Sequence, residues 1–115
     1  MEHARSYSGA SVCPEGEYRK KTIAVGSLKK ANAWGLFDMH GNVYEWVEDD
    51  WHSNYEGAPE NEAAWVGKSR GADGVVRGGG WGSFARFCRS ANRYWFSPDF
   101  RYYNLGFRLV LRPVQ

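Results

Sequence analysis

Cysteine and histidine are the side chains most used in metal centres and nucleophilic catalysis, and this chain contains few of either. The two cysteines, Cys13 and Cys88, are far apart, and neither lies in a Cys-x-x-Cys motif or a Cys/His spacing typical of zinc sites. The histidines, His3, His40 and His52, are scattered, and no defensible Ser/His/Asp arrangement or pair of carboxylates accompanies them. The sequence therefore predicts no zinc site. It leaves open whether the cysteines form one disulfide or remain two thiols.

The bulk composition limits the classes of partner. A length of 115 residues allows one domain. The 15 Lys and Arg residues nearly balance the 13 Asp and Glu residues, so no electrostatic argument favours nucleic acid. The longest apolar run, Leu109–Leu111, is far too short to cross a bilayer, and the N-terminus lacks the apolar stretch of a signal peptide. No membrane span is expected, and the cell compartment is left open.

Aromatic side chains and glycines are both abundant. Aromatic residues make up 17% of the chain, six of them Trp, and there are 14 glycines. This combination in a short chain is typical of a loop-rich fold held together by contacts between large rings.

The pattern along the chain predicts a few short elements. Residues 1–22 lack periodicity and are expected to be coil, whereas Val43–Val47 alternates as a half-buried strand does. A long surface loop is predicted over Asp49–Gly74. The run Gly78–Gly80 indicates that another segment or a ring approaches the backbone closely. The segment Leu105–Val110 is the strongest strand candidate and is expected to close the sheet.

Three segments carry a specific combination of motifs: Asn32–Trp46, which contains Gly-Leu-Phe-Asp-Met-His-Gly-Asn-Val-Tyr-Glu-Trp, then Val76–Trp81, then Leu105–Leu109. Their order and spacing resemble the formylglycine-generating enzyme, or sulfatase-modifying factor, family. The resemblance implies an α+β, C-type-lectin-like fold, loop-rich with short antiparallel strands. It divides the chain into an irregular segment, 1–21, and a domain, 22–115, that is a minimal or C-terminal portion of the full family domain.

The same resemblance implies a calcium site at the turn before the Glu-Trp strand. Carried over by position, Asp38 and Glu45 supply carboxylate oxygens, and Gly41 and Val43 supply backbone carbonyls. Calcium is a hard cation that prefers several oxygen ligands, and a glycine turn can direct carbonyls inward. The alternative is that Asp38 caps the turn while Glu45 pairs with an arginine, either Arg77 or Arg108. The sequence therefore leaves two hypotheses for this turn, a structural calcium ion or an ion pair between Glu45 and an arginine.

The family's oxidase chemistry depends on two cysteines five positions apart that jointly bind copper(I), a soft ion that prefers thiolates. In this chain the corresponding positions are Ser83 and Cys88. A hydroxyl is a poor copper(I) ligand, and Cys88 also fits a small buried core residue. Copper is therefore not expected, and the chain is predicted to be a binding protein and not an enzyme.

The C-terminal third resembles, more narrowly, the variable proteins of diversity-generating retroelements, which display diversified positions on this fold to bind ligands. Between framework segments lie eleven residues with eight aromatic rings. Mutating both adenines of an Asn codon accounts for every one of them except Trp95. The predicted ligand-binding residues are Gly82, Ser83, Phe84, Phe87, Tyr94, Trp95, Phe96, Phe100, Tyr102, Tyr103 and Asn104.

Large rigid rings suit a binding surface because they provide contact area at little cost in conformational entropy. Adjacent residues of an extended strand point to opposite faces, so the triplet Tyr94–Phe96 should expose at least one ring. The expected partner is a protein or another macromolecule, and self-association is compatible with the same patch. Surface display is compatible with the resemblance. Two alternatives remain: a fragment or relative of the oxidase, and a structural calcium-stabilised domain.

Overall fold

The computed structural model describes residues 18–67 and 73–111, and its centre is a short strand, β2 (Gly74–Arg77). Val75 and Val76 of β2 have no exposed surface. Because consecutive strand residues point to opposite faces, burial of both means that the sheet is covered on each side at this point. Cys88, from outside the sheet, is also buried.

Three further strands complete a mixed sheet. They are β1 (Tyr44–Asp50), β3 (Tyr94–Phe96) and β4 (Leu105–Gly106), and the order across the sheet is β3-β2-β1-β4. β2 is antiparallel to both β1 and β3, whereas β4 is parallel to β1. The prediction of a strand over Val43–Val47 is confirmed, with the strand continuing to Asp50. The expectation of antiparallel strands is wrong for β4, because the chain returns to β1 from a distant segment and enters beside it in the same direction.

The predicted strand Leu105–Val110 is shorter than expected. Only Leu105 and Gly106 pair, opposite Tyr44 and Glu45 of β1. The following residues lie outside any strand, and Phe107, Leu109 and Val110 are largely exposed. An extended segment becomes a strand only where neighbouring backbone groups accept its hydrogen bonds. In the described part of the chain, the sheet offers such a neighbour only at the start of β1.

Helical structure in the described part of the chain is limited to one turn. A 3₁₀ helix spans Ala85–Cys88, and no α-helix occurs within residues 18–67 and 73–111, so the α part of the predicted α+β class is not found there. Nowhere in those same ranges does a helix have the length and apolar character needed to traverse a bilayer. The expected coil at 1–22 is seen at residues 18–22, and the remainder lies outside the described residues, as do His3 and Cys13.

The glycine run lies where three other segments approach the backbone, as predicted. A Cβ atom added at Gly78 would lie 3.3 Å from the carbonyl oxygen of Met39, and one at Gly79 would lie 2.5 Å from Cys88 Sγ. At Gly80 the Cβ would lie 3.1 Å from Asn104 Nδ2. Gly78 and Gly79 also have φ angles of 88° and 73°, a region that L side chains adopt at a cost.

The predicted loop Asp49–Gly74 is shorter than expected, because Asp49 and Asp50 belong to β1 and Gly74 to β2. Its described remainder, residues 51–67 and 73, contains no helix or strand, and one arginine contacts several of its rings. The Arg93 guanidinium carbon lies 4.1 Å from the ring centre of Tyr55 and 5.0 Å from that of Trp51, with Trp65 at 6.0 Å. His52 stacks on Trp65 at 3.6 Å. Cation–π contacts of this kind attach the loop to the segment before β3 without a regular backbone ladder.

Candidate ligand-binding surface

A continuous row of rings runs from β3 to the glycine run, and we call it the aromatic strip. It consists of Tyr94, Phe96, Phe100, Tyr102, Tyr103 and Trp81. Successive ring centres are separated by 5.3, 4.6, 5.6, 4.2 and 5.9 Å in that order. These spacings fall in the range in which aromatic pairs attract one another, so each ring restricts its neighbours.

The rings of the aromatic strip keep a large fraction of their surface in contact with solvent. Tyr94 is 47%, Phe100 37%, Tyr102 50% and Tyr103 63% exposed, and Phe96 is half-buried. Rings that retain about half of their surface are neither sealed core nor free in solvent. They offer apolar area that a partner can cover without first reorganising the strip.

The supports are two rings of β1 that the sequence assigned to a strand but not to the site. Tyr44 lies 6.1 Å from Tyr94, and Trp46 lies 6.4 Å from Phe96, both between ring centres. The register pairs Trp46 with Val76, and Val76 with Tyr94, so these rings share one face of the sheet. Alternation along Val43–Val47 is the signal in the sequence that could have identified them.

Trp95 lies beside the strip. It pairs with Val75 in the register, one residue out of step with Tyr94 and Phe96, and its ring centre lies 6.3 Å from that of Trp51. Its ring also stacks on that of Tyr94, with the centres 6.2 Å apart and the planes 12° apart. Trp95 is 43% exposed, so it extends the exposed rings of the strip toward Trp51.

The predicted residues of the segment 82–87 form a smaller group. The rings of Phe84 and Phe87 lie 6.5 Å apart, with the Arg86 guanidinium 5.4 and 4.8 Å from their centres. Gly82 is exposed, and a Cβ atom there would meet nothing within 4 Å. From this segment, Ser83 bonds to Tyr44, one of the strip supports.

Ser83 and Asn104 act as structural residues beneath the strip. Ser83 Oγ accepts a hydrogen bond from Gly80 N at 3.0 Å and donates to the Tyr44 hydroxyl at 3.3 Å. The Asn104 carbonyl accepts from Tyr44 N at 2.7 Å, and its side-chain Oδ1 is buried without a hydrogen-bond partner in the described residues. Both residues therefore position Tyr44, which in turn contacts Tyr94 and Phe96.

At the turn before β1, the carboxylates predicted to bind calcium have protein partners. Both Glu45 oxygens accept hydrogen bonds from Arg108, at 2.5 and 2.6 Å, and Asp38 Oδ2 accepts from Gly26 N at 2.6 Å. Gly41 N donates to Gly78 O at 2.7 Å. Within the described residues no group of three or more His, Cys, Asp or Glu side chains is placed to hold a metal.

This donor set does not fit calcium in the conformation observed, because the ion would have to displace Arg108 from Glu45. The contacts correspond to the ion-pair alternative, and calcium at Asp38, Gly41, Val43 and Glu45 stays a prediction.

We expect neither calcium nor a chelator to change the melting temperature. A site loaded at a hundred times its Kd would stabilise the fold by about 2.7 kcal/mol, which a melting curve resolves as a shift of several degrees. Differential scanning calorimetry with and without excess calcium is the measurement. A rise on adding calcium that a chelator reverses would restore the metal hypothesis.

Cys88 is the second of the two positions that correspond to the copper-binding cysteines of the family, and its thiol is shielded from solvent. Cys88 is free and buried, and burial raises the pKa of its thiol, which disfavours the thiolate that soft metals bind. His40 Nδ1 donates to the Cys88 carbonyl at 2.5 Å and so fixes the segment to the turn. Cys88 thus has the features of a core residue. Cys13, the other cysteine, lies outside the described residues.

A family model described as "Sulfatase-modifying factor enzyme 1-like domain" matches residues 2–113, nearly the whole chain. The chain belongs to this family. Two curated relatives share the similarity: serine/threonine-protein kinase pkn1 of Chlamydia caviae, 41% identical over 80 residues (68% of this chain, 13% of that protein), and formylglycine-generating enzyme of Mus musculus, 35% identical over 80 residues (67% and 21%). The chain therefore spans only a small part of the length of these relatives.

Solved structures with this fold include two at 35% identity or more. PvdO from Pseudomonas aeruginosa is 40% identical, with a TM-score of 0.72, over 92% of this chain and 38% of that one. Treponema denticola variable protein 1 is 35% identical, with a TM-score of 0.66, over 77% and 31%. The mixed, loop-rich architecture is thus that of the sulfatase-modifying factor family, as the motifs predicted.

Proposed function

We propose that this chain is a non-catalytic ligand-binding module with a C-type-lectin-like fold, of the kind used as variable proteins by diversity-generating retroelements. The observation that supports this most strongly is the aromatic strip, a connected and half-exposed row of rings on a fixed framework. Rings of this kind dominate binding hot spots because they bury much area while few rotatable bonds are frozen. The similarity to Treponema denticola variable protein 1 is consistent with this use.

The framework residues around the strip fit this role. The glycine run allows close approach of Met39 and Cys88, and the Glu45–Arg108 pair fixes the residues that follow β4. These framework contacts do not include a ring of the aromatic strip, so a change of ring leaves them in place. A surface whose residues can change while its frame stays intact is what diversification of a binding protein requires.

A second candidate, an oxidase portion, is supported by the similarity to formylglycine-generating enzyme of Mus musculus. Ser83 in place of a thiol and the raised pKa of Cys88 argue against it. Copper(I) binding with oxidation of a sulfatase-derived cysteine peptide would establish the second candidate and overturn the first.

Replacing Tyr94, Phe100 or Tyr102 with Ala should weaken binding about fivefold or more each, because truncating a hot-spot ring costs more than about 1 kcal/mol. Peptides selected from a phage-displayed random library on the wild-type chain are the probes, and Kd by biolayer interferometry is the measurement. Trp34→Ala is the matched control, since Trp34 is 83% exposed and lies outside the strip. Circular dichroism monitors folding of each variant.

Two outcomes would contradict the proposal. If the strip variants unfold while Trp34→Ala does not, the rings are core. If they fold and most independent peptides still bind, the surface used is elsewhere. The retroelement origin has its own test in the neighbouring DNA, where a nearly identical repeat with Asn codons at the predicted ligand-binding positions other than Trp95 should lie beside a reverse transcriptase gene.

A further inference from the structure

The segment that follows β4 has the composition of a strand but no strand to pair with. Residues 107–111 continue from β4 without a turn or bend, and Leu109 and Leu111 are 90% and 95% exposed. β4 is the outermost strand of the described sheet on its side, and the hydrogen bonds of the described residues include none from the backbone of residues 109–111. Unpaired backbone groups beside apolar side chains are the features of a sheet edge that receives another strand.

One side chain holds the beginning of this segment in position. Arg108 donates hydrogen bonds to the carbonyl oxygens of Phe37 at 2.9 Å and Asp38 at 3.3 Å, and it also binds both oxygens of Glu45. These contacts tie the backbone after β4 to the turn before β1. An incoming strand therefore meets a segment whose direction is already fixed, which lowers the entropy that binding has to remove.

The described residues leave much of their apolar surface uncovered. Within 18–67 and 73–111 the buried hydrophobic residues are Val75, Val76 and Cys88, whereas Phe107 and Val110 are largely exposed together with Leu109 and Leu111. Removal of apolar surface from water is the main favourable term in folding and association. This end of the sheet is therefore a surface that gains stability when another segment covers it.

The lengths of the solved relatives indicate what covers it. The part that corresponds to this chain makes up 38% of the PvdO chain and 31% of the chain of Treponema denticola variable protein 1. Most of each of those chains is therefore polypeptide without a counterpart in this chain. Polypeptide also meets both needs of residues 109–111, because it supplies backbone hydrogen-bonding groups and apolar side chains together, whereas lipid supplies only apolar surface.

Two other polypeptide occupants fit the segment less well. Residues 107–112 include two arginines and no acidic residue, so pairing with a second copy brings only like charges together. Residues 1–17 contain one β-branched residue, Val12, and no alternating run of large apolar residues of the kind typical of strands. The segment that covers residues 107–111 is thus expected to come from outside this chain.

We propose that residues 107–111 bind an extended, apolar segment of polypeptide from outside this chain, which adds to the sheet as a strand beside β4 and its continuation. The backbone of the incoming segment pairs with that of residues 107–111, and its alternate side chains cover Leu109 and Leu111. Recognition of this kind needs neither a charged side chain nor a ring of the aromatic strip. The inference therefore does not rest on the proposed function.

The test uses a fluorescein-labelled Ser-Val-Thr-Val-Thr-Val-Ser peptide and a counterpart that is N-methylated at every central residue. N-methylation keeps the side chains but removes the backbone N–H donors. Fluorescence anisotropy should show binding of the first peptide and binding weaker by about tenfold or more for the second, because strand addition depends on backbone hydrogen bonds.

Leu109→Ser and Leu111→Ser should each weaken binding of the first peptide about tenfold, since each removes apolar surface that the strand covers. Both side chains are almost fully exposed in the free chain, so both variants should fold as the wild type does, which circular dichroism checks. Val66→Ser is the matched control. Val66 is an exposed apolar residue beside Asp50, at the opposite end of β1 from β4, and its replacement should leave Kd unchanged.

Amide hydrogen exchange of the wild-type chain is a readout that needs no variant to fold. The amides of residues 109–111 should exchange rapidly in the free chain and become protected when the first peptide binds. Protection already present in the free chain would mean that another part of the same chain pairs with the segment, and it would overturn the inference. Failure of the first peptide to bind, or equal binding of the N-methylated peptide, would overturn it as well.

Two further measurements separate the other occupants. A dimer in sedimentation velocity that Leu109→Ser disperses would assign the segment to a second copy. Flotation with phosphatidylcholine vesicles that Leu109→Ser abolishes, without binding of the first peptide, would assign it to a membrane surface. Either result would overturn the inference, and neither would affect the proposed function, which depends on Tyr94, Phe100 and Tyr102.

Discussion

Gly79→Ala is expected to destabilise the domain by about 2 to 5 kcal/mol, a large fraction of the free energy of unfolding of an ordinary domain. Two costs add at this position. An L residue at a φ of 73° pays roughly 1 to 2 kcal/mol, and the new methyl group would lie 2.5 Å from Cys88 Sγ, an overpacking worth about 1 to 3 kcal/mol or more. The free energy of unfolding from urea denaturation is the measurement.

Gly35→Ala is the matched control, because it separates backbone strain from the clash. Gly35 has a φ of 76°, but a Cβ atom there would meet nothing within 4 Å. Its replacement should therefore cost only about 1 to 2 kcal/mol, the strain alone. Equal losses for the two variants would show that the contact with Cys88 has no energetic weight.

A double substitution tests the contact directly. Cys88→Ala removes the sulfur and on its own should cost about 1 to 2 kcal/mol through the small cavity it leaves. In that background Gly79→Ala should cost less than in the wild type, since the nearest remaining atoms, the Cα and Cβ of residue 88, lie 3.3 and 3.4 Å away. Additive losses in the double variant would place the strain elsewhere in the glycine run.

The close approach at the glycine run could be predicted from sequence because three adjacent glycines have few other uses inside a domain. The identity of the approaching groups could not. Met39, Cys88 and Asn104 come from segments up to 39 positions away from the run, and only the fold brings them together. Local composition shows that space is needed, whereas tertiary contacts decide what occupies it.

In the sheet, too, some features could be predicted from local sequence and others depend on tertiary contacts. Alternation at Val43–Val47 predicted β1, since a half-buried strand requires it. The parallel pairing of β4 and its end at Gly106 depend on which backbone groups are free beside β1, a property no window of the sequence contains. The strip was predictable as a set of residue types, but the place of Trp95 beside it, stacked on Tyr94 and close to Trp51, depends on the register of β3 against β2 and on tertiary contacts.

The sequence did not reveal the contacts that hold the loops together. The rings around Arg93, which are Trp51, Tyr55 and Trp65, come from a loop with no periodicity. Asn42, which is buried, exchanges two hydrogen bonds with the backbone of Ile23 at 2.9 and 3.2 Å. Such side chains replace a backbone ladder in a loop-rich fold, and their partners are set by three-dimensional proximity alone.

The sequence offered two arginine partners for Glu45, and the structure selects Arg108. Arg108 Nε and Nη2 donate to both oxygens of Glu45, and its Nη1 and Nη2 donate to the carbonyls of Phe37 at 2.9 Å and Asp38 at 3.3 Å. Arg77 instead donates to Ser90 O at 2.8 Å. The planar guanidinium therefore joins the chain after β4 to the turn before β1, a connection that a lysine could not copy.

Arg108→Ala should accordingly cost about 2 to 3 kcal/mol. The loss leaves Glu45, which is 22% exposed, without its charged partner, and two turn carbonyls without a donor. Hydrogen bonds with Glu45 raise the pKa of Arg108, so the guanidinium remains charged and the loss should not depend on its own titration near neutral pH. Urea denaturation gives the magnitude, and Arg101→Ala, an exposed arginine whose side chain bonds only to nearby carbonyls, should cost about 0.5 kcal/mol or less.

Glu45→Gln tests which contacts of Arg108 contribute more to stability, the ion pair with Glu45 or the hydrogen bonds to the turn carbonyls. If the ion pair dominates, this change and Arg108→Ala should cost similar amounts and show strong coupling in a double-substitution cycle. If the bonds to the Phe37 and Asp38 carbonyls dominate, Glu45→Gln should cost only about 1 kcal/mol, because the amide oxygen still accepts one bond and the turn stays tied to Arg108. Because the guanidinium reaches both the carboxylate and the turn, we expect the second pattern. An Arg108→Ala variant as stable as the wild type would show that residues after β4 are not anchored to the turn at all.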